Sequence, residues 1–217
     1  MSTNEEIVIG LIKGAKEYFD LGIQCFPVYR WFDREKKKHM MYGAPDSSYS
    51  GWSCEHTYES FIERIKSLNS AGKIPNGIAV RTGPESNVTV LDSDSETSEK
   101  YIHRYPFKEG AVVKTSRGLH RYYRYNTGTS TFRGKGLQEG IDVRARGGLA
   151  IVPPTPGYSW VVPLVSTNAL PEFPPELQGM LFGVPRPIRD RVKQIKQYIK
   201  KIKIGEAKIK GSFKIKK

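Results

Sequence analysis

The residues best suited to chemistry in this sequence are three aspartates, Asp92, Asp94 and Asp142. The run Val88-Thr89-Val90-Leu91 is rich in strand formers and leads directly into Asp92-Ser93-Asp94. In an extended chain residues two apart point to the same side, so both carboxylates face one way. Two close, unpaired carboxylates repel each other, and a divalent cation resolves the repulsion. Mg²⁺ takes oxygens from one or two carboxylates and completes its shell with substrate phosphates, a combination that suits polymerase chemistry. Asp142 lies at the start of another predicted strand, Ile141-Asp142-Val143-Arg144, and could supply the third carboxylate of a two-metal site. The plainer alternative is a solvated turn or a helix cap, both common uses of Asp and Ser. A calcium loop fails. Counted from Asp92, position six is Thr97 where glycine is needed, and position twelve is His103 where glutamate is needed.

A second chemical segment is Lys114-Thr115-Ser116-Arg117-Gly118-Leu119-His120. Lysine, arginine, hydroxyls and the backbone amides of a tight turn are what a triphosphate requires. His120 can donate to a phosphate oxygen; the alternative is a hydrogen-bonded strand histidine. Arg121, Tyr123 and Tyr125 form the other face of the same strand, where they could stack on bases or pack in a core.

The elements that must position these groups follow from periodicity. Thr3-x-x-Glu6 reads as a capping box, and Ile7, Leu11, Ala15, Tyr18 and Phe19 share one helical face. Gly22 to Arg30 reads as a strand, and the polar, Lys-rich stretch from Asp33 to Ser53 as a loop. Tyr58, Phe61, Ile62, Ile65 and Leu68 mark a second amphipathic helix. Strands are predicted at Ile78–Thr82 and Asn87–Asp92, and a short helix at Glu96–Arg104. One hairpin joins Ala111–Thr115 to Leu119–Tyr125, and another joins Ile141–Arg144 to Leu149–Val152 across Gly147-Gly148. Tyr158–Val162 adds a further strand, after the prolines at 153, 154 and 156. Helices at the amino-terminal end with antiparallel hairpins behind them give an α+β domain.

With 217 residues the chain holds one domain, or one domain with an appendage. Two cysteines, Cys25 and Cys54, cannot make a disulfide framework. Together with His39 and His56 they are too few and too irregular for a zinc element. No apolar run reaches transmembrane length and no signal peptide is evident, so a cytoplasmic location is expected and no membrane partner. The net charge of +13 makes a polyanion the first partner to consider. Residues 186–217 carry thirteen Lys and Arg against Asp190 and Glu206, leaving the remaining 185 residues with only +2.

Together these pieces resemble the primase–polymerase (Prim-Pol) domain of the archaeo-eukaryotic primase superfamily, known from plasmid and viral replication proteins. The order here is Gly22…Phe26-Pro27-Val28, Asn76-Gly77-Ile78-Ala79-Val80-Arg81-Thr82-Gly83, Val90-Leu91-Asp92-Ser93-Asp94 and Thr115-Ser116-Arg117-Gly118-Leu119-His120. Gly140-Ile141-Asp142-Val143-Arg144, Gly147-Gly148 and Ile151-Val152-Pro153-Pro154 follow, with Tyr158-Ser159-Trp160 after them. Each motif alone is weak, and together, in this order and spacing, they are specific. The resemblance implies an RRM-like antiparallel catalytic sheet with a flanking α/β lobe and the active site between them. It implies that Asp92, Asp94 and Asp142 bind Mg²⁺ or Mn²⁺ in a two-metal site, and that His120 contacts the incoming nucleotide. Ser116 and Gly118 fall in the family's phosphate-facing turn, with Arg117 where a glycine is common; Arg144 is a further nucleotide-binding candidate. The implied reaction is in-line attack of a primer 3′-hydroxyl, or of a first nucleotide, on an α-phosphate. Expected partners are single-stranded template or primer–template and nucleoside triphosphates. No phosphate-loop motif is present, so a replicative helicase is a candidate partner in trans. The competing readings are a non-catalytic replication-initiator or single-stranded-DNA-binding module, and a metal-dependent nuclease.

The expected division is a catalytic domain over 1–170, a proline-rich irregular connector over 171–187, and a basic amphipathic helix and tail over 188–217. Ile188, Val192, Ile195, Ile199 and Ile202 form its apolar stripe. Lys193, Lys196, Lys200, Lys201 and Lys203 are the candidate DNA-binding residues, holding template phosphates without sequence preference.

Overall fold

Helix α1, Asn4–Asp20, starts where the sequence says it should. Thr3 caps it by accepting from the Glu6 amide at 3.2 Å, while the Glu6 carboxylate accepts from the Thr3 amide at 2.8 Å. Leu11, Ala15 and Tyr18 fall on its buried face. Fully burying one side chain of leucine size is worth about 1.5–3 kcal/mol. Helix α2, Tyr58–Ser70, repeats the pattern with Thr57 as cap and Phe61, Ile65 and Leu68 buried.

A computed structural model describes residues 3–35, 38–42, 56–105, 107–134 and 140–182. Among them the remaining elements are β1 Cys25–Asp33, β2 Lys38–Tyr42, β3 Gly77–Arg81, β4 Val88–Ser93, α3 Glu96–Ile102, β5 Val112–Lys114 and β6 Leu119–Arg124. They continue with β7 Phe132–Arg133, β8 Ile141–Arg144, β9 Leu149–Val152, β10 Ser159–Val162 and α4 Pro175–Phe182. The chain divides into Met1–Leu177 and a second unit, Gln178–Lys217, whose described residues are 178–182. The proposed basic helix over 188–217, with its five lysines, lies outside the described residues.

In the first unit the strands form two sheets, ordered β2-β1-β3-β9 and β10-β5-β6-β4-β8-β7, with antiparallel ladders throughout. The main core gathers Leu11, Ala15 and Tyr18 of α1, Phe61 and Ile65 of α2, Ile78, Val80, Ala150 and Val152 of the smaller sheet, and Val88, Val90, Val113 and Tyr122 of the larger. The architecture is therefore mixed α/β with antiparallel sheets, as the periodicity implies. Among the described residues no helix is long and apolar enough to cross a membrane.

Four expectations need correction. The strands at 141–144 and 149–152 exist but do not pair with each other. β8 pairs with β4 and β7, whereas β9 pairs with β3 in the other sheet. Gly147 turns the chain at φ 72°, and a Cβ on Gly148 would lie 2.7 Å from Thr82 Oγ1, so the Gly-Gly step is a close-packed crossover. The expected loop from Asp33 contains β2, because Met40, Met41 and Tyr42 continue the ladder against Tyr29–Trp31. β1 itself runs three residues past Arg30; Pro27 is tolerated because the β2 ladder begins only at Tyr29. The proline-rich connector contains α4, with Pro175 in its first turn, where a missing N–H costs nothing.

Candidate active site

The three central strands of the larger sheet place the chemistry. Asp92 of β4 stands directly opposite His120 of β6 on one side and Asp142 of β8 on the other. Asp142 in turn faces Arg133 of β7. Directly paired residues share a face at a Cα separation of about 4.5–5.5 Å, so these four side chains form one row. Val90, two residues before Asp92, lies on the same face and enters the core, while Asp92 emerges into a cleft. Asp94 follows two residues later, its amide bonded to the Gly140 carbonyl at 2.8 Å.

The opposite face of the same strands is a brace. Arg121, almost wholly buried, donates from both Nη atoms to the two Glu99 oxygens at 2.7 and 2.6 Å, and from Nε to Glu109 at 3.3 Å. Ser93 donates to Glu99 from β4, tying α3 to the strand between the two aspartates. Burial pushes Glu99 up, but the Arg121 and Ser93 hydrogen bonds outweigh it and hold the carboxyl below its ordinary value. Tyr123, also buried, packs edge-on to Phe173 at 5.3 Å. Base stacking by Arg121 and Tyr123 is thereby ruled out: both face the rear core.

In the cleft each carboxylate meets an arginine. Arg144 Nη2 lies 2.6 Å from Asp142 Oδ2 and 3.6 Å from Asp92 Oδ2, and Arg117 Nη2 lies 2.9 Å from Asp94 Oδ2. His120 Nε2 is 3.3 Å from Asp92 Oδ1. Burial raises the Asp92 carboxyl, but the imidazole and the Arg144 and Arg117 charges hold it below its ordinary value. Asp94 moves the other way, raised by burial and then by the charge of Asp92, with Arg117 opposing. Adjacent carboxylates pushed in opposite directions are the expected response to shared negative charge.

The turn Thr115–Gly118 borders the same cleft. Thr115 Oγ1 accepts from the amides of Arg117 and Gly118 at 3.2 and 3.0 Å. Those two amides are therefore committed within the turn, and what it offers the cleft is the side chains of Ser116 and Arg117. Gly118 is there for space: a Cβ would sit 1.8 Å from the Ser93 carbonyl oxygen.

The cleft has a volume of about 960 Å³, and its lining includes Asp92, Asp94, Asp142, His120, Ser116, Arg117 and Arg144. All the expected site residues in the body of the chain thus come together, Gly118 at the base of the turn. The opposite wall belongs to the smaller sheet and carries no sequence motif: Arg30, Phe32, His39 and Met41 of the β1–β2 hairpin. Tyr158 links the walls, its ring 5.8 Å from His120 and 5.0 Å from the Arg30 guanidinium. Isolated aromatic and arginine residues on an edge hairpin carry no motif, so only β1–β2 pairing reveals them.

As for a metal, the described residues contain no preformed cluster of three or more His, Cys, Asp or Glu ligands. The donors nevertheless fit a hard divalent cation. They are carboxylate oxygens on facing strands, and Asp92 Oδ1 is buried with the His120 imidazole 3.3 Å away but no hydrogen bond of good geometry.

A family model described as Prim-Pol, bifunctional DNA primase/polymerase, N-terminal, matches residues 15–176. The comparison with curated proteins gave no match.

Proposed function

The chain belongs to the Prim-Pol family of bifunctional DNA primase/polymerase N-terminal domains, and on that premise we propose that it is a template-dependent nucleotidyltransferase that makes primers, extends DNA, or does both. The observation that carries the reading is the cross-strand row His120–Asp92–Asp142, set in a cleft shared with Arg117 and Arg144. Asp92, Asp94 and Asp142 would hold Mg²⁺ or Mn²⁺. Such ions, when bound, would lower the pKa of the attacking hydroxyl and stabilise charge on the transferring and leaving phosphates.

The chain's own residues would do the rest. Ser116, Arg117 and His120 bind the triphosphate from the turn and β6. Arg144, on the far side of Asp92, is within reach of the same phosphates once it leaves Asp142. The primer hydroxyl loses its proton to solvent as its oxygen bonds to the α-phosphorus, the bond to the bridging oxygen breaks, and pyrophosphate departs. Tyr158 and Arg30 close the cleft on the other side and limit access of water.

The test is incorporation of labelled nucleotides on a single-stranded template, with and without primer, in Mg²⁺ or Mn²⁺. Metal-dependent extension is expected. Degradation of the oligonucleotide without incorporation would make the protein a nuclease, and DNA binding alone would make it a non-catalytic module.

A further inference from the structure

The β1–β2 hairpin supplies one wall of the cleft, yet its cleft-lining residues Arg30, Phe32, His39 and Met41 belong to none of the motifs. Its ladder pairs Arg30 with Met41 and Phe32 with His39, so these four share the cleft face. Tyr29, Trp31 and Tyr42 take the other face, and their rings are already engaged. Tyr29 stacks on Trp31 with centroids 5.6 Å apart and an interplanar angle of 23°, and Lys73 Nζ sits 3.7 Å over Tyr42.

Phe32 is different. His39 meets it edge-on, with centroids 5.3 Å apart, and 53% of the residue stays exposed, the highest among the hairpin's large apolar side chains. An aromatic ring held this open on a strand leaves about half of its apolar area in water, where that area contributes nothing to folding. Arginines surround it: Arg30 is its neighbour on the same strand face, and Arg117, Arg133 and Arg144 line the same cleft, each beside a carboxylate. The field reaches the hairpin itself. Burial first, then the charges of Arg30 and Arg117, lower the basicity of His39.

An open aromatic face beside arginines is the recognition chemistry of single-stranded nucleic acid, in which bases stack on rings and phosphates meet guanidinium groups. We propose that the cleft face of the β1–β2 hairpin is the template-strand wall, with Phe32 stacking on a base and Arg30 contacting a phosphate. The proposal rests on the cleft being a nucleotidyl-transfer site. It explains why the hairpin stands across from the carboxylates: a template must lie opposite the groups that handle the incoming nucleotide. Arg30, packed on Tyr158, which in turn touches His120, then connects the strand wall to the chemical wall.

The experiment measures affinity of the whole chain for a labelled single-stranded oligonucleotide by fluorescence anisotropy across a salt series. Phe32→Ala should lower affinity between about 5-fold and about 150-fold with an unchanged salt slope, because stacking is lost and no charge is. Phe32→Trp should retain binding, and Phe32→Leu, which keeps apolar bulk, should not. Arg30→Gln should flatten the slope of log affinity against log salt by about 0.7. The proposal is overturned if Phe32→Ala binds like the parent or if Phe32→Leu does. It is equally overturned if Phe32→Ala only raises the KM for nucleotide, which would place the ring on the incoming base. A parent protein that incorporates nucleotides while Phe32→Ala binds DNA normally sinks the hairpin assignment alone. One that incorporates nothing sinks the function.

Discussion

Across the cleft, the six-stranded sheet presents Asp92, Asp142 and His120 from three neighbouring interior strands, whereas the four-stranded sheet presents Arg30, Phe32 and His39 from its edge hairpin. The first wall is held from behind. Arg121, Glu99 and Ser93 lock α3 to β4 and β6 on the face opposite the carboxylates. The second wall ends in open side chains. A group that aligns reacting atoms needs fixed geometry, because small displacements cost large factors in rate. A surface that receives successive bases of any sequence needs an exposed ring and charge rather than a fixed donor pattern. The contrast suits a braced chemical wall facing an adaptable binding wall.

The strongest way to break this comparison is at the row itself. Asp92→Ala or Asp142→Ala should reduce nucleotide incorporation on the order of 1000-fold or more, equivalent to about 4 kcal/mol, with fold and DNA affinity retained. Single-turnover extension alongside circular dichroism checks this. Near-parental synthesis by either folded variant removes that residue from the site.

Next comes the brace. Glu99→Gln leaves Arg121 buried with only the half-exposed Glu109 for company, and should destabilise the fold by about 3 kcal/mol in denaturant melts. Because the folded protein holds Glu99 below its ordinary value of 4.5, its contribution is complete above that pH. The contribution is lost as pH falls through the folded value, so the gap between parent and variant should close in acid. A gap that is constant with pH would mean that Glu99 contributes by packing alone.

Gly118→Ala probes how tightly the turn is fitted to β4. The added methyl would press on the Ser93 carbonyl, and overpacking of this kind costs about 1–3 kcal/mol. The end of β4 must shift to relieve it, so incorporation should fall further than stability alone accounts for. Parental activity per folded molecule would show that the turn and the aspartates are not geometrically coupled.

The smallest effect on chemistry is expected from the charge-rich end of the chain. Replacing Lys193, Lys196, Lys200, Lys201 and Lys203 with glutamine should flatten the salt dependence of DNA binding, yet leave incorporation at saturating primer–template unchanged. An unchanged slope would place the ionic contacts on the cleft walls instead.

The two walls were unequally legible in the sequence. Asp92, Asp142 and His120 could be found because they sit at fixed places beside strand-forming runs, Val88–Leu91 and Ile141–Arg144, and local pattern is what sequence displays. The rear brace was not legible, since Arg121 and Glu99 lie 22 residues apart and meet only when α3 folds back on the sheet. Arg121 and Tyr123 looked like base-stacking candidates for the same reason: alternation shows that they share a face, not which face is buried. The Gly147-Gly148 step misled because a glycine pair marks a hairpin turn and a tight crossover equally well. The hairpin wall was hidden because Lys36-Lys37-Lys38 masks β2 behind a loop-like composition, and strand pairing is a non-local fact.

The central claim, that the row on β4, β6 and β8 is a metal-dependent nucleotide site, is tested most directly by anomalous diffraction. Crystals of the full chain would be soaked with Mn²⁺ and a non-hydrolysable nucleoside triphosphate analogue. The account predicts manganese peaks bounded by the Asp92, Asp94 and Asp142 carboxylates, with the triphosphate reaching Ser116, Arg117 and His120. Manganese bound elsewhere, or a triphosphate that leaves this row untouched, would contradict it.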